Sequence, residues 1–285
     1  MSPNRPNTVA GQPHHWLRTL AVICVCLTPV KVAAGDPLNI LFMGNSYTIA
    51  NDLAEVVSAL AVADGYAAPL IVLDLKGGRD VAYHVGEVIK NPQNNVAHPS
   101  IQGKTFDFSV LQGHSQEATS RQDPINQFIP DSIAWADAIR SSVAGANSKV
   151  VLYETWARLA GHDFYPDSFA DPKAMQGEIR ANYEIARDSI SAVLGEQIAT
   201  RAPAGDAFEL AEFSSALYDE DQAHASVLGS SLAAMVIYRT LYSEDVSDIS
   251  YNAIGIEGIT EAQWVAAQTW ADSVTVASLN DGQPG

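Results

Sequence analysis

Short apolar runs alternate along the chain with segments in which apolar residues recur every three or four positions. Each run is rich in Val, Ile or Leu, as expected of a strand that is covered on both faces. An alternation of such strands with helices is typical of βαβ units around a parallel sheet. The pattern therefore predicts an α/β fold, a three-layer α/β/α sandwich with a mainly parallel sheet, whose strands span residues 39–43, 70–75, 108–112, 149–154 and 197–202.

Helices are predicted between and after these strands. Asn51 and Ser226 are polar residues directly before periodic apolar segments, so each is predicted to cap a helix. Residues 155–175 contain a glycine and two prolines and are predicted to form a long loop. The predicted helices span residues 51–64, 80–90, 127–143, 171–194, a segment that starts at Ser226, and 260–278.

Polar residues and glycines follow several of the predicted strands. Ser46 follows the first strand, Gly77 and Gly78 follow the second, residues 113–115 follow the third, and Trp156 follows the fourth. The carboxyl ends of parallel strands meet at one edge of the sheet, where sites form in such folds. The sequence therefore predicts that these residues converge.

Composition and charge restrict the class of protein and its partners. The chain has 285 residues, of which 47% are hydrophobic and 17% charged, which indicates a globular protein with a substantial core. The formal net charge of −17 argues against nucleic acid, because that binding needs clustered Lys and Arg. It also argues against adhesion to anionic lipid.

The first 34 residues have the pattern of a secretory signal peptide. Two arginines precede a short apolar core at residues 20–27, and small residues end the segment at Ala34. The core is too short to span a bilayer comfortably, so no stable membrane insertion is predicted; a retained anchor is the alternative. We predict cleavage near Ala34, a single domain over residues 35–285, and a secreted or periplasmic location. Both cysteines of the chain would leave with the signal.

A serine, a histidine and an aspartate occupy positions that suggest nucleophilic catalysis. Ser46 lies on a strand-exit turn, and Asp221 stands three residues before His224 on one predicted loop. A hydroxyl, an imidazole and a carboxylate together make an activated nucleophile at neutral pH, and the arrangement recurs on unrelated folds. The neighbouring Asp219 and Glu220 do not have the three-residue spacing to His224 and are predicted to be solvated.

The blocks around these residues resemble the SGNH (GDSL-like) hydrolase superfamily. Gly44-Asn45-Ser46 is similar to the family's first block, and Asp221 and His224 match its Asp-x-x-His block. Residues 224–230 look like the family's His-Pro-Ser-x-x-Gly run, with Ala225 in place of proline. The resemblance covers nearly all of residues 37–243. It implies a flavodoxin-like fold, Ser46 as nucleophile, His224 as general base and Asp221 as the residue that orients the histidine.

The resemblance also implies an oxyanion hole made of three donors. These would be the N–H of Ser46, a backbone N–H at Gly78 (or Gly77), and an asparagine side chain in a third block. The chain departs from the family in that third block, because Ser115 replaces the asparagine. Either Ser115, Gln112 or Gln116 supplies the third donor, or the hole has two donors.

Further polar residues near the predicted strand ends are candidate substrate ligands. Asn45, His114, Glu154 and Trp156 are predicted to bind substrate, together with Arg158. For Glu154, Trp156 and Arg158, the alternative is a buried tryptophan that packs over an ion pair. His84 is predicted to be structural, and His162 to border the site. No metal-ligand spacing and no phosphate-binding loop is evident, so no metal and no cofactor are predicted.

Together these features predict a secreted serine hydrolase that cleaves carboxylic esters through a Ser46 acyl-enzyme. The preference for an ester over an amide comes from the resemblance. The expected substrate is a small-molecule or polysaccharide ester with a short acyl group, for example O-acetyl on carbohydrate. One alternative is an acyltransferase that uses a sugar hydroxyl; another is a non-catalytic carbohydrate-binding protein on the same scaffold. The sequence leaves the oligomeric state open.

Overall fold

A five-stranded parallel sheet lies at the centre of the fold, in the strand order β2-β1-β3-β4-β5. The structure is a computed structural model that describes residues 36–90, 105–195 and 197–277, with the backbone alone at Lys90. All of these residues belong to one unit, Lys31–Gly285. The predicted signal peptide lies outside the described residues. The strands are β1 (Asn39–Gly44), β2 (Leu70–Leu75), β3 (Phe108–Leu111), β4 (Lys149–Tyr153) and β5 (Ala199–Ala202).

The predicted strands are confirmed to within two residues at each end. β5 begins later than predicted because Gln197 has a φ of 61°, which does not fit an extended strand. Helices and short helical turns join the strands. They are α1 (Ser46–Ile49), α2 (Leu53–Ala63), α3 (Val81–Lys90), α4 (Phe128–Ser141), α5 (Pro172–Leu194), α6 (Ala204–Leu210), α7 (Val227–Tyr242), α8 (Tyr251–Ile254) and α9 (Glu261–Ser273).

Alternation along the strands produces two separate hydrophobic layers. In β1, Ile40 and Phe42 point to one face of the sheet, whereas Leu41 and Met43 point to the other. Buried residues of α2, α6, α7 and α9 pack on the first face, and those of α3, α4 and α5 pack on the second. Both faces of the sheet are therefore covered, which confirms the predicted three-layer α/β/α architecture.

The helix termini agree with the sequence to within two residues, except for the cap of α2 and the end of α9. The prediction that the last helix reaches residue 278 is wrong, because α9 ends at Ser273 and Val274 is extended. Ser226 caps α7 as predicted, and its side chain accepts a hydrogen bond from Gly229 N. The prediction that Asn51 caps α2 is wrong, because the helix begins at Leu53 and Asn51 itself has a φ of 54°. Its side chain instead donates to Ala225 O at 3.0 Å, across the fold. Asn51 thus ties the start of α2 to the segment before α7.

The loop after β4 ends earlier than predicted. Asp171 caps α5 through a hydrogen bond from Ala174 N, and Pro172 is the first helical residue. Proline is well tolerated there because the first helical N–H has no intrahelical partner.

None of the helices in the described ranges combines the length and the apolar character needed to cross a membrane.

Two helical glycines should respond in opposite ways to alanine. A Cβ at Gly229 in α7 would lie 2.1 Å from Leu217 O, whereas a Cβ at Gly177 in α5 meets nothing within 4 Å. Gly229→Ala should therefore destabilise the protein by about 1–3 kcal/mol through overpacking. Gly177→Ala should stabilise it by about 0.5–1 kcal/mol through helix propensity. Urea unfolding of both variants tests this, and two shifts of the same sign would contradict it.

Candidate active site

The motif residues lie where the strand order reverses direction. β1 is flanked by β2 on one side and by β3 on the other, so the crevice at the carboxyl ends of β1 and β3 is a topological switch point. Ser46 follows β1 directly, and residues 113–115 follow β3. This is the edge at which the sequence predicts convergence.

Asn45 holds the turn that carries Ser46. Its side chain caps α1 by accepting a hydrogen bond from Tyr47 N at 3.2 Å, and it donates to Arg79 O at 2.8 Å. Its backbone N–H donates to Gln112 Oε1 at 2.9 Å. The residue is 1% exposed. Asn45 therefore joins the turns after β1, β2 and β3, and its predicted contact with substrate stays a prediction.

Gln112 supports the same turn from β3. Its Oε1 also accepts a hydrogen bond from Thr48 Oγ1 at 3.0 Å, and its Nε2 donates to Gly113 O. A Cβ at Gly44 would lie 2.9 Å from Gln112 Oε1 and 2.7 Å from Thr48 Oγ1, so only glycine fits there. Gln112 is buried and its amide is directed to these groups. The hydrogen bonds of Gln112 support the turn, and its role as an oxyanion donor stays a prediction.

Ser46, His224 and Asp221 form a continuous hydrogen-bonded chain. Ser46 Oγ lies 2.8 Å from His224 Nε2, and His224 Nδ1 pairs with Asp221 Oδ2. A carboxylate at Nδ1 favours the tautomer with the proton on Nδ1, which leaves Nε2 free to accept the serine proton. The arrangement can therefore generate a serine nucleophile.

The Asp-x-x-His loop orients its own carboxylate. Asp221 Oδ1 accepts hydrogen bonds from Ala223 N at 2.9 Å and from His224 N at 2.8 Å. Burial alone would raise the pKa of Asp221, but the hydrogen bonds from His224 and Ala223 outweigh it and lower this pKa. The carboxylate thus stays ionised beside the imidazole. Asp219 and Glu220 are exposed, as predicted.

Two aromatic side chains fix the position of the same loop. Ala223 O accepts hydrogen bonds from Tyr47 Oη at 2.9 Å and from Trp156 Nε1 at 3.0 Å. The Trp156 ring stacks on Phe208 with a centroid distance of 4.3 Å, and the residue is fully buried. The buried indole thus supports the loop that carries His224, and the predicted contact of Trp156 with substrate stays a prediction.

Glu154 is likewise part of the interior. It is fully buried, its Oε2 pairs with Arg201 Nη1, and its Oε1 accepts from Gln176 Nε2 at 2.7 Å. Burial raises the pKa of Glu154, and the charge of Arg201 opposes that shift. The substrate role of Glu154 stays a prediction. Of the alternative, the structure shows the buried tryptophan, but Glu154 forms its ion pair with Arg201 rather than with Arg158.

The remaining candidates lie on the segments that follow β2 and β3. Gly78 is exposed with a φ of 68°, in a turn tied to β1 by the 2.8 Å hydrogen bond from Lys76 N to Gly44 O. His114 is half-buried, and burial lowers its pKa. Ser115 is buried, and its Oγ accepts from Arg158 Nη2 at 2.8 Å. The roles of Gly78, Ser115 and His114 stay predictions.

Two further histidines in the described ranges, His84 and His162, differ in their surroundings. His84 is fully buried on α3, and burial lowers its pKa. His162 is half-buried, and its Nδ1 accepts from Phe164 N at 3.2 Å. Within residues 36–90, 105–195 and 197–277, no cluster of three or more His, Cys, Asp and Glu residues is suited to hold a metal ion.

A buried carboxylate that the sequence analysis missed joins the two loops of the predicted oxyanion hole. Glu117 is 3% exposed and accepts hydrogen bonds from Val81 N at 3.1 Å and from His114 N. Val81 follows the Gly77–Gly78 turn, and His114 precedes Ser115. The one available signal was an acidic residue just after an apolar strand. Tyr47 was also missed, because a tyrosine beside the serine carries no distinctive pattern.

Glu117 should make stability depend on pH. Burial raises its pKa from 4.5 to about 7, against the opposing hydrogen bonds from His114 and Val81. Between pH 4.5 and about 7, the carboxyl of Glu117 is protonated more in the folded state than in the unfolded state. The free energy of unfolding therefore falls as the pH rises through this range. Relative to wild type, Glu117→Gln should therefore gain stability over this range. Chemical unfolding at several pH values measures it; the exposed Glu257→Gln is the control, and a parallel curve for Glu117→Gln would contradict the expectation.

Comparisons with known proteins bear on the fold. No protein-family model matches the chain, and no curated protein does. A DUF4886 family protein from Bacteroides uniformis is similar with a TM-score of 0.63 and 19% identity, covering 83% of this chain and 93% of that one. A protein from Slackia heliotrinireducens assigned to the SGNH hydrolases is similar with a TM-score of 0.56 and 22% identity, covering 72% of this chain and 100% of that one. With the parallel sheet and the order of its blocks, the chain has the SGNH hydrolase fold.

Proposed function

We propose that the protein is a serine hydrolase that cleaves carboxylic esters through an acyl-enzyme on Ser46. The observation that carries this proposal is the 2.8 Å contact between Ser46 Oγ and His224 Nε2, with Asp221 on the other ring nitrogen. These three groups have the relative geometry that activates a serine. The SGNH hydrolase fold supports the same activity.

The proposed reaction has two acyl-transfer steps. Ser46 Oγ attacks the ester carbonyl carbon while its proton passes to His224 Nε2, and the alcohol then leaves with that proton as the carbon–oxygen bond breaks. Water attacks the acyl-enzyme, again giving its proton to His224, and the proton returns to Ser46 as the acid departs. Asp221 remains ionised and stabilises the imidazolium formed in each step.

We infer that the substrates are short acyl esters of a bulky alcohol, such as O-acetyl groups on carbohydrate, met outside the cell. The side chains of His224 and Asp221 are 36% and 49% exposed, so the dyad lies at an open surface that a large alcohol can approach. The acidic net charge favours neutral or cationic alcohols over anionic ones. A cleaved signal at residues 1–34 would place the protein where such polymers occur.

A panel of p-nitrophenyl esters from acetyl to long acyl chains tests this function. Ser46-dependent hydrolysis that is fastest with acetyl, followed by release of acetate from an acetylated polysaccharide, would support the proposal. Transfer of the acyl group to an added sugar, in place of hydrolysis, would favour the acyltransferase. Polysaccharide binding with no hydrolysis and no labelling of Ser46 by a fluorophosphonate would favour the binding protein and would overturn the proposed hydrolase.

A further inference from the structure

Arg158 carries a buried positive charge that the serine, histidine and aspartate do not use. The residue is 6% exposed, and its Nε has no hydrogen-bond partner. Within the described part of the chain, no carboxylate lies within 4.0 Å of its nitrogens. Burial lowers the pKa of this guanidinium, and the nearby charge of Asp221 opposes that shift. A buried cation without an ion pair costs stability, so its retention calls for a role.

The guanidinium bridges two parts of the candidate site. Nη2 donates to Ser115 Oγ at 2.8 Å, and Nη1 donates to Tyr47 Oη. Tyr47 directly follows Ser46, and its hydroxyl in turn donates a hydrogen bond to Ala223 O. Ser115 occupies the place where the related motif carries an asparagine. Arg158 therefore connects the turn that carries Ser46 to the third block, in which the chain differs from the family motif.

The hydrogen bond from Arg158 leaves the Ser115 hydroxyl with an unused donor. A serine hydroxyl has one hydrogen to donate and two lone pairs to accept with. The guanidinium occupies a lone pair, and in the ranges that the structure describes Ser115 Oγ has no other hydrogen-bond partner. A charged donor on the oxygen also polarises the O–H bond and makes its hydrogen a stronger donor.

We propose that Arg158 is a positioning residue that makes Ser115 the third oxyanion donor. In the tetrahedral intermediate, the former carbonyl oxygen carries a negative charge that needs donors fixed in advance. Ser115 is shorter than the asparagine it replaces, and the guanidinium compensates by holding and polarising its hydroxyl. The inference rests on the proposed ester hydrolysis, and it adds a residue that the motif comparison does not contain.

The test measures kcat and KM for p-nitrophenyl acetate hydrolysis by Arg158→Met and Ser115→Ala. Ser115→Ala should lower kcat about 100- to 1,000-fold, as for the loss of one oxyanion donor, and Arg158→Met about 10- to 100-fold. KM should change less than about threefold in both, because the donor acts in the transition state. Binding of a trifluoromethyl ketone, whose adduct carries an oxyanion, should weaken by the same factors as kcat. Arg187→Met, an exchange of an arginine paired with Asp188 on α5, is the matched control.

A double-mutant cycle separates the proposed route from a purely structural one. Adding Arg158→Met to Ser115→Ala should cost little more, because Arg158 acts through Ser115. Three results would overturn the inference. The first is that the losses in kcat from Arg158→Met and Ser115→Ala are fully additive, and the second is that Arg158→Met is non-additive with Tyr47→Phe alone. The third is an unchanged kcat in Arg158→Met. If Arg158→Met does not fold, Arg158→Lys serves instead and should still lose at least tenfold, since an ammonium cannot bridge two hydroxyls in the same way. A wild type without Ser46-dependent hydrolysis would defeat the proposed function and this inference together.

Discussion

Ser46→Ala is expected to lower kcat for p-nitrophenyl acetate by roughly 10⁴- to 10⁶-fold, because the variant lacks the atom that forms the acyl-enzyme. The same variant should fold normally. Ser46 is half-buried at the start of a short helical turn, and among the described residues its Oγ forms a hydrogen bond with His224 alone. The melting temperature of the variant should therefore stay within a few degrees of the wild-type value.

The control for this experiment is Ser273→Ala, since Ser273 is an exposed serine at the end of α9 whose hydroxyl, among the described residues, bonds only to Thr269 O. It should retain full activity. A fluorophosphonate should label the wild type and Ser273→Ala, but it should not label Ser46→Ala. Residual hydrolysis by Ser46→Ala within tenfold of wild type would exclude Ser46 as the nucleophile.

His224→Ala is expected to cost about as much as Ser46→Ala, whereas Asp221→Asn should cost less, about 10²- to 10⁴-fold in kcat. His224→Ala removes the base that lies 2.8 Å from Ser46 Oγ. Without the carboxylate, the imidazole remains and can still act as a base, although its tautomer and orientation are less well controlled. Asp221 is also half-exposed, so water can replace part of its contact with the ring.

Steady-state kinetics of His224→Ala and Asp221→Asn measure the two losses in kcat. Asp219→Asn is the matched control, because Asp219 is an exposed aspartate on the same loop. Within the ranges that the structure describes, its side chain accepts only from Glu220 N. It should be within about twofold of wild type. A larger loss for Asp221→Asn than for His224→Ala would contradict the assigned roles, as would a severe loss for Asp219→Asn.

The sequence predicts the sheet well because a buried parallel strand leaves a local pattern. Runs such as Ile40–Met43 are apolar on both faces, since two layers of helices cover them. The geometry of Asp221 and His224 is also local: three residues separate them, and Asp221 accepts hydrogen bonds from the backbone of its own loop. Helix caps at Ser226 and Asp171 follow from the same short-range rules.

The surroundings of a side chain after a strand are harder to predict, because position after a strand does not reveal which way a side chain points. Asn45, Glu154 and Trp156 all follow strands as the pattern requires, yet the structure encloses each of them. Their polar groups meet partners distant in the chain, such as Arg201 for Glu154 and Ala223 for Trp156. No periodicity in one sequence records such pairings.

By itself, the amino-acid sequence determined the alternation of strands and helices, the order of the motif blocks and the local pairing of Asp221 with His224. These features depend on contacts between near neighbours and on burial, which composition and spacing record. The tertiary structure alone decided that Ser46 meets a histidine 178 residues away, that Glu117 joins two loops, and that Arg158 lies behind Ser115. Those contacts arise only when separate strands end at one edge of the sheet, because the packing of the whole core sets the distances between their loops.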